Sequence, residues 1–471
     1  MIAYSFPPEG RAGTYRPLRF VRHLPALDWR ASVISSEHSY SRYDAGLLDL
    51  VPSDTEVIRV PWRDPWQAFQ ARRNRQTQEK LSGASVNSVA RVHATHHTPF
   101  RSRVRELVRK AEKCWYRPDM AMPWIRPAVK ATVNLCARKQ YRAIWATAGP
   151  VSSFVVAQRA SQRSGVPYVL DFRDPWTITG FEDGEPELAR RKKRRTMYQL
   201  LKGAQSVVFM FDTVAECFWR AYPGALDASR IHIIPNGYEG AIDGVAPPSG
   251  DKCTVLYTGM STYYRYDTLF QALHRLKETD SARAKQLRFL FVGEGNHEID
   301  REAAALGISD IVAAAGSTSQ AEISRLQQQA HALLMLGQPP NIKGYELFAS
   351  AKLFAYLKAG RPIIGVLPPN ESKNILLRMG VSTVADVDSP AEIAAVLSQL
   401  VDAWLAKKMA SLVPDSAGCE VYSAERQTST LVGALEGVPP TEPFVPGSVD
   451  IPPSLKERIG DRGWLSGRNG D

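Results

Sequence analysis

The chain has 471 residues, of which 44% are hydrophobic and 23% are charged, a composition typical of globular proteins. This length exceeds what one hydrophobic core usually serves, so two domains are expected. No stretch of the sequence approaches the ~18 consecutive apolar residues of a membrane span, and "MIAYSF" is cut short by "PPEGR" before it reaches the length of a signal-peptide core. A cytosolic location is therefore expected.

Charge indicates which partners the protein binds, and cysteine spacing indicates whether it has a zinc cluster or disulfides. The net charge of +11 indicates anionic partners, namely phosphorylated small molecules, an acidic membrane surface or nucleic acid. The cysteines lie far apart and form no Cys-x-x-Cys pair, which argues against a zinc cluster and against a disulfide framework. We therefore predict buried free thiols. No cofactor is predicted for the chain. The cysteines are Cys114, Cys136, Cys217, Cys253 and Cys419.

The N-terminal half, residues 1–240, alternates strand-like and helical segments. Strands separated by helices predict βαβ units in a parallel sheet. A long polar insertion, at about residues 62–125, interrupts the pattern. The strand-like segments are "MIAYSF", "ASVISS", "YRAIWAT", "PYVLDF", "SVVFMF" and "RIHIIPN".

The second half repeats this alternation more regularly. A Gly- and Pro-rich stretch without periodicity, residues 236–252, predicts the domain boundary, and residues 250–403 are predicted as the second α/β domain. Ser319 with Glu322 and Ser389 with Glu392 predict capped helix starts. The strand-like segments are "TVLYTG", "LRFLFVG", "DIVAAAG", "HALLMLG" and "RPIIGVL".

The C-terminal end is predicted to contain two different segments. Residues 404–436 are expected to be helical, with a helix near 423–436 that crosses back onto the N-terminal domain. Residues 437–471 include "GVPPTEPFVPGSVDIPP", which is too rich in Pro and Gly to bury a core, so this tail is predicted to be disordered.

Loops after the predicted strands contain the candidate ligand-binding residues. In an open parallel sheet, ligands bind beyond the carboxyl ends of the strands, where helix N-termini present free amides to an anion. In the first such loop, "PPEGRAGTYRPLRF", Gly10 and Gly13 allow close approach of the backbone, and Arg16 adds a positive charge. A purely structural glycine turn is the alternative, because the loop lacks the G-x-G-x-x-G pattern.

Two loops of the second half have the same character. In "YTGMSTYYRYDTLF", Gly259 ends a strand and Arg265 lies near the start of the next helix. In "VGEGNHE", Gly293 and Glu294 follow another strand. Several such strand ends that meet at one edge predict a phosphate-bearing ligand.

The stretch "SAKLFAYLKAGRPIIGV", residues 350–366, predicts a helix whose start faces that ligand. Ser350 is a suitable N-cap, and Gly360 ends the helix before an apolar strand. Because this strand returns the chain to the sheet, the helix amides and Lys352 are expected at the ligand edge. The preceding loop supplies two further candidates, Lys343 and Glu346.

Taken in order, seven segments resemble the retaining glycosyltransferases with two Rossmann-like domains. This is the GT-B type, similar to glycosyltransferase family 4 and to the group of bacterial cell-surface polysaccharide enzymes. The resemblance covers about residues 1–436. The segments are "YSFPPEGRAGTYRPLRF", "IWATAGPVSSFVVAQ", "PYVLDFRDPW", "IIPNGYE", "VLYTGMSTYYRYDTLFQAL", "LRFLFVGEG" and "AKLFAYLKAGRPIIG".

The resemblance implies two doubly wound parallel-sheet domains that face a cleft. A nucleotide-sugar donor is expected on the C-terminal domain and a glycan or lipid-linked acceptor on the N-terminal domain. Such enzymes typically need no metal, because cationic side chains and helix amides stabilise the departing diphosphate. Arg265 and Lys352 are assigned to that role, and Asn236 of "IPNGY" is assigned to the substrate site.

Arg173 of "LDFRDPW" is predicted to take the place of a histidine that contacts the donor sugar in related enzymes. Asp171 and Asp174 flank it. A buried Asp–Arg pair that braces the loop is the alternative interpretation.

The sequence departs from the family pattern in the 350–366 stretch. The usual glutamate that contacts the nucleotide ribose is replaced by Ala355, and a second usual glutamate falls near Leu347, next to Glu346. Glu346 is expected to compensate from the preceding loop. A catalytically silent sugar-nucleotide or glycan-binding relative is the alternative to an active enzyme.

Two basic segments suggest where the protein works. Residues 100–115 predict an amphipathic helix, which suits either an anionic membrane surface or packing on its own domain. Residues 189–195, "ARRKKRR", are interpreted as a solvated helix face. A nucleic-acid-binding protein is a third hypothesis, but no recognition helix or aromatic sheet motif accompanies these charges, so no nucleic acid is predicted.

Overall fold

The computed structural model describes residues 1–37, 43–63, 118–178, 185–243, 250–262, 264–338 and 344–460. The predicted 100–115 helix and Lys343 lie outside these residues.

The N-terminal sheet is parallel, and the first residues of the chain connect its two groups of strands. Ile2 forms parallel bridges to Ile34 and to Ala146, so the extended N-terminus lies between β1 and β3. The spatial order is thus β2, β1, the N-terminal stretch, β3, β4, β5 and β6. Its strands are β1 (Val33–Glu37), β2 (Val57–Pro61), β3 (Ile144–Thr147), β4 (Tyr168–Phe172), β5 (Ser206–Phe209) and β6 (Ile231–Ile233).

The C-terminal sheet is separate, parallel and doubly wound. Its strand order is β12-β11-β10-β7-β8-β9, in which the direction of strand addition reverses between β7 and β10. Ligands of such sheets bind at this switch point, beyond the carboxyl ends of the two strands. Its strands are β7 (Cys253–Thr258), β8 (Leu287–Val292), β9 (Val312–Ala315), β10 (Ala332–Leu336), β11 (Ile363–Leu367) and β12 (Val384–Asp386).

Helices connect the strands, and several begin where the sequence predicts a cap. The Ser319 hydroxyl accepts from the Glu322 amide, and the Ser389 hydroxyl accepts from the Glu392 amide. The first group of helices is Ala12–His23, Ile125–Arg138, Ser152–Ser164, Glu187–Gly203 and Asp212–Ala221. The second group is Asp267–Thr279, Ser281–Ala284, His297–Ala305, Gln320–Gln329, Ala351–Ala359, Glu371–Arg378, Pro390–Leu405, Ser416–Cys419, Ala424–Glu436 and Pro453–Gly460. In the described residues, no helix combines the length and apolarity needed to cross a membrane.

The helix Ala424–Glu436 follows the second sheet in the chain but packs on the first. Its Leu431 and Leu435 share a buried cluster with Phe20, Trp145 and Val208. The Gln205 side chain also donates to the Leu435 carbonyl at 2.9 Å. This helix therefore ties the end of the chain to the N-terminal sheet.

Polar contacts also join the second half of the chain to the first half and to the segment between them. Thr213, on the helix after β5, donates its hydroxyl to Glu371, at the start of the helix after β11. Burial raises the pKa of the Glu371 carboxyl. Lys358 and Asp243 form a second contact, with 3.0 Å between nitrogen and oxygen.

The segment 437–460, expected to be disordered, is ordered against the rest of the chain. Phe444, Ile451 and Leu455 are buried in the main core, and the Phe444 and Trp219 rings lie 6.1 Å apart. Local composition misses this packing because the few apolar residues of the tail are buried against a distant helix and not against each other.

Candidate functional site

A glycine turn lies at the switch point of the C-terminal sheet. Gly259 follows β7 directly with a φ of +108°, a conformation that favours glycine. A side chain on Gly293, which follows β8, would collide with the Gly259 backbone, so the two turns are in direct contact. The buried Asn296 accepts from both the amide (3.1 Å) and the hydroxyl (2.7 Å) of Ser261 and so fixes the end of the turn.

Lys352 lies under this turn, inside a cage of two tyrosines. Its ammonium donates to the Tyr257 hydroxyl at 3.0 Å, and it lies 4.8 Å and 4.2 Å from the ring centroids of Tyr257 and Tyr264. A Cβ on Gly259 would approach Lys352 Cε to 2.7 Å. The absence of a side chain at position 259 therefore makes room for the lysine.

Burial lowers the pKa of Lys352 to about 8. None of the described residues places a carboxylate within ion-pair distance of its ammonium. Aromatic faces and a hydroxyl attract a cation but do not neutralise it. The ammonium is thus available for an anion at the carboxyl edge of the sheet.

Two helix N-termini meet next to Lys352. Ser350 caps the helix Ala351–Ala359 by accepting from the Lys352 amide at 3.4 Å. The Ser350 amide in turn donates to the hydroxyl of Ser372, in the first turn of the helix Glu371–Arg378, at 3.0 Å. Both helices are long enough to contribute a positive N-terminal dipole to this edge.

Within the described residues, the second predicted cation of this domain, Arg265, interacts with two carboxylates. Its backbone amide donates to the Gly337 carbonyl at 3.1 Å, which places it at the switch point. Its guanidinium pairs with Asp388 and lies 3.5 Å from Asp267. The hydrogen bond with Asp388 raises the pKa of Arg265.

The predicted carboxylates differ in their surroundings. Glu346 accepts a hydrogen bond of 2.8 Å from the hydroxyl of Ser454, in the C-terminal tail. Glu294 is exposed. Ala355 lies three residues after Lys352 on the same helix face and is half-buried, with only a methyl group to offer.

At the N-terminal sheet, Arg173 connects the loop after the N-terminal stretch to the loop after β3. Its Nε donates to the Ala148 carbonyl and its Nη1 to the Gly13 carbonyl, each at 2.7 Å. A Cβ on Gly13 or on Gly149 would come within 2.9 Å or 2.7 Å of the guanidinium, so both glycines leave room for it. Burial lowers the pKa of Arg173.

Asp171 pairs with Arg16 and not with its neighbour Arg173. The Arg16 and Asp171 side chains are 2% and 0% exposed and lie 2.7 Å apart. The Thr147 hydroxyl adds a 2.7 Å bond to Asp171, and the remaining Arg16 donors reach the carbonyls of Ile234 and Pro235 at 2.8 Å. A buried Asp–Arg pair braces this region, as the alternative interpretation supposed, but it uses a different arginine.

The remaining predicted residues of this domain lie around that pair. Asp174 is exposed, Gly10 is buried, and the Asn236 carbonyl accepts from Gln427 at 3.1 Å. Asn236 is thus linked to the helix Ala424–Glu436.

Sequence reasoning missed the tyrosine cage and Ser372. A local signal exists for both. Tyr257 and Tyr264 stand on either side of Gly259 in "YTGMSTYYRY", and Ser372 stands in "PPNESK", a capping sequence that follows an apolar strand. Aromatic residues around a glycine turn would have suggested a bound cation.

Comparisons with known proteins show which family and which fold the chain resembles. A sequence profile of the family described as Glycosyltransferase Family 4 matches residues 89–239. No curated relative matches the chain. The fold is similar to that of the lipopolysaccharide outer core galactosyltransferase WaaB in its apo form, with 13% identity, a TM-score of 0.51, and coverage of 92% of this chain and 97% of that one.

Two further solved structures align less closely. WaaG, a glycosyltransferase involved in lipopolysaccharide biosynthesis, has 14% identity and a TM-score of 0.47 and covers 92% of this chain and 96% of its own. A sucrose-phosphate synthase from Thermosynechococcus elongatus has 12% identity and a TM-score of 0.49, with coverage of 91% and 89%.

The chain has the GT-B fold. The likeness to WaaB and the two separate doubly wound sheets confirm the predicted α/β fold class. The family profile and the fold together support a glycosyltransferase.

Proposed function

We propose that the protein transfers a sugar from a nucleotide-sugar donor to a glycan or lipid-linked acceptor, with retention of configuration and without a metal ion. The caged ammonium of Lys352 carries this proposal. It lies under the Gly259 turn at the switch point, where α/β folds bind phosphorylated ligands, and the described residues leave it without a carboxylate partner.

In this proposal the donor diphosphate occupies the space between the Gly259 turn and the two helix N-termini. As the bond between the sugar and the diphosphate breaks, negative charge grows on the leaving oxygens. Lys352 and the first amides of the two helices would stabilise that charge without reorganising. The proton of the attacking acceptor hydroxyl would pass to the leaving diphosphate, which is the strongest base created on that face.

Arg265 would be the second cation of the site. Its salt bridges to Asp388 and Asp267 hold the guanidinium at the switch point, and an incoming diphosphate would compete with these carboxylates. Arg173 would act from the opposite domain by fixing the Gly13 and Gly149 turns that face the sugar and the acceptor. We assign Gly10 and Asp174 to the substrate site of the same domain.

A silent binding protein is the second candidate, and one observation favours it. Ala355 presents a methyl group on the helix face that carries Lys352, where the family resemblance places a carboxylate for the ribose. Glu346 would compensate from the loop before the helix, where Ser454 orients it.

Release of free nucleoside diphosphate from a panel of nucleotide sugars tests the proposal. We expect one donor to raise the melting temperature and to release its nucleotide when acceptor is present, because a ligand that binds only the folded state stabilises it. A chelator should leave the rate unchanged. Binding of a donor without turnover, also in Ala355→Glu, would favour the silent relative.

A further inference from the structure

The end of β7 has a backbone amide on the side where β7 and β10 diverge. Among the described residues, the ladder between these strands reaches only the pair Leu256–Leu333, and Thr258, the last residue of β7, lies beyond it. Successive amides of a strand point to opposite sides, and the Gly259 amide donates to the Val292 carbonyl of β8 at 2.7 Å. The Thr258 amide therefore points to the β10 side, into the crevice of the switch point.

A tyrosine hydroxyl satisfies this amide. Tyr356 is fully buried, and its hydroxyl accepts from the Thr258 amide at 3.1 Å and lies 3.3 Å from the Thr258 hydroxyl. Burial raises the pKa of Tyr356 to about 12, so the hydroxyl is neutral at ordinary pH. Because a buried amide without an acceptor is costly, the tyrosine takes the place that a strand carbonyl would occupy.

Gln327 holds the same residue from a second helix. Its side chain is buried, and its amide nitrogen donates to the Thr258 hydroxyl at 3.1 Å. Gln327 belongs to the helix Gln320–Gln329, which precedes β10. Side chains from two helices thus fix the residue that directly precedes the Gly259 turn.

Tyr356 and Lys352 connect one helix to two successive residues of β7. They are four positions apart in the helix Ala351–Ala359, so they share a face. Lys352 donates to the hydroxyl of Tyr257, and Tyr356 accepts from the next residue, Thr258. An anion that attracts the ammonium would compete with the Tyr257 hydroxyl for it. The bond of Tyr356 does not involve the ammonium, so it would persist when Lys352 binds a ligand.

We propose that Tyr356 is a positioning residue of the donor site, whose hydroxyl holds the Gly259 turn against the Lys352 helix, with Gln327 in support. The inference rests on the proposed function and adds to it a buried residue that acts without touching the donor. Because the turn stays in place while Lys352 engages the diphosphate, the site does not have to reorganise when the ligand binds.

Calorimetric titration of the full-length protein with uridine, guanosine, adenosine, cytidine and thymidine diphosphates tests the role of Tyr356. Wild type is expected to bind at least one of them. Tyr356→Phe keeps the ring and removes one buried hydrogen bond, so it should weaken that binding about three- to tenfold. The matched control is Tyr168→Phe, since Tyr168 is also buried and donates to the Leu200 carbonyl at 2.8 Å. It should lower the melting temperature to a similar extent but bind like wild type.

A double variant separates positioning from a general loss of stability. In the Lys352→Met background, Tyr356→Phe should have little further effect on nucleotide binding, because the turn acts on the ligand through the lysine. The same loss in both backgrounds would overturn the inference. So would unchanged binding in Tyr356→Phe, or an equal loss in Tyr168→Phe.

The second support gives a test that does not depend on folding of the Tyr356 variant. Gln327→Met should weaken nucleotide binding about two- to threefold, whereas Gln328→Met, which removes a bond to Asp243 instead, should bind like wild type. Equal binding by these two variants would contradict the supporting role of Gln327. If wild type bound none of the five nucleotides, the proposed function itself would fail, and the inference that rests on it would fail too.

Discussion

The two sheets both place cations next to glycine turns, but the surrounding residues satisfy these cations differently. At the N-terminal sheet, Arg173 donates to loop carbonyls, and Arg16 pairs with the buried Asp171. At the C-terminal sheet, Lys352 meets tyrosine rings and a hydroxyl. A cation matched by carbonyls or a carboxylate holds the fold together, whereas a cation that meets only aromatic rings and a hydroxyl is not neutralised and is available to a ligand. We therefore expect the cations of the N-terminal sheet to serve stability and Lys352 to serve binding.

The largest expected effect concerns the satisfied pair. Asp171→Ala leaves Arg16 buried without its carboxylate, which should lower the free energy of unfolding by roughly 3–5 kcal/mol. Urea denaturation measures this change. Asp174→Ala, at an exposed position of the same motif, should change it by less than about 0.5 kcal/mol. Equal effects of the two substitutions would show that the pair does not brace the domain.

The unsatisfied cation should behave in the opposite way. Lys352→Ala should reduce transfer about 100- to 1000-fold, the usual cost of removing one donor that stabilises developing charge. Lys352→Met, which keeps the apolar stem between the tyrosines, should lose activity similarly but should not lower stability, because a buried charge is removed. Lys358→Ala, on the same helix but paired with Asp243, is the control and should remain active. Unchanged turnover in Lys352→Ala would mean that the helix Ala351–Ala359 is only a packing element.

Because Lys352 loses its charge when it is deprotonated, donor affinity should depend on pH. Its pKa in the folded protein is lowered to about 8, below the value of 10.5 expected in the unfolded chain. The charged form is present below pH 8, so donor affinity should decline as pH rises through 8, by up to about tenfold per pH unit. Calorimetric titration of the donor measures this slope, and Lys352→Met should show no such decline.

The stability of the protein should rise with pH, whereas donor affinity should fall. Because the folded pKa of Lys352 lies below the unfolded one, keeping the charge is unfavourable, and this cost disappears as pH rises from about 8 to 10.5. If wild type lost stability between about pH 8 and 10.5 and Lys352→Met did not, burial would not be what lowers the pKa of Lys352.

Gly259 connects the turn to the lysine, which makes the coupling testable. Gly259→Ala should weaken donor binding about tenfold, because its methyl group would displace the Lys352 side chain and φ is +108° there. In the Lys352→Met background the same substitution should have a much smaller effect on the donor. Gly316→Ala, where the structure leaves open space, is the control. If the effects of Gly259→Ala and Lys352→Met on donor binding were additive, the turn would not act through the lysine.

The fold was predictable because its signals are local. Apolar strands followed by glycine turns and capped helices recur along the chain, and Ser350, Lys352 and Gly259 could be selected from them. The tyrosines around Gly259 are visible in the local sequence, but their contact with Lys352 was not predicted, since Lys352 and Tyr257 are 95 positions apart in the chain. The partner of Asp171 was missed for the same reason: Arg173 is near in sequence, but Arg16, 155 positions away, is near in space.

The tail shows the same limit of local patterns and leads to the smallest predicted effect. Its Pro- and Gly-rich composition predicts disorder, yet the Gly447 amide donates to the buried Glu216 at 2.9 Å, and the Ser454 hydroxyl reaches Glu346. The tail therefore spans from a helix of the N-terminal domain to the loop before the Lys352 helix. If Glu346 replaces the missing ribose carboxylate, Ser454 is a positioning residue for it.

Ser454→Ala should then raise the KM for the donor about two- to fivefold with little change in kcat, since an exposed hydrogen bond contributes about 1 kcal/mol or less. Ser448→Ala, in the same tail but bonded to the Val445 carbonyl, should leave KM unchanged. In Glu346→Ala, the further substitution of Ser454 should have no effect, because the hydroxyl then has no carboxylate to orient. An equal loss from Ser454→Ala in both backgrounds would show that the tail acts through packing, and the carboxylate for the ribose would have to come from elsewhere in the site.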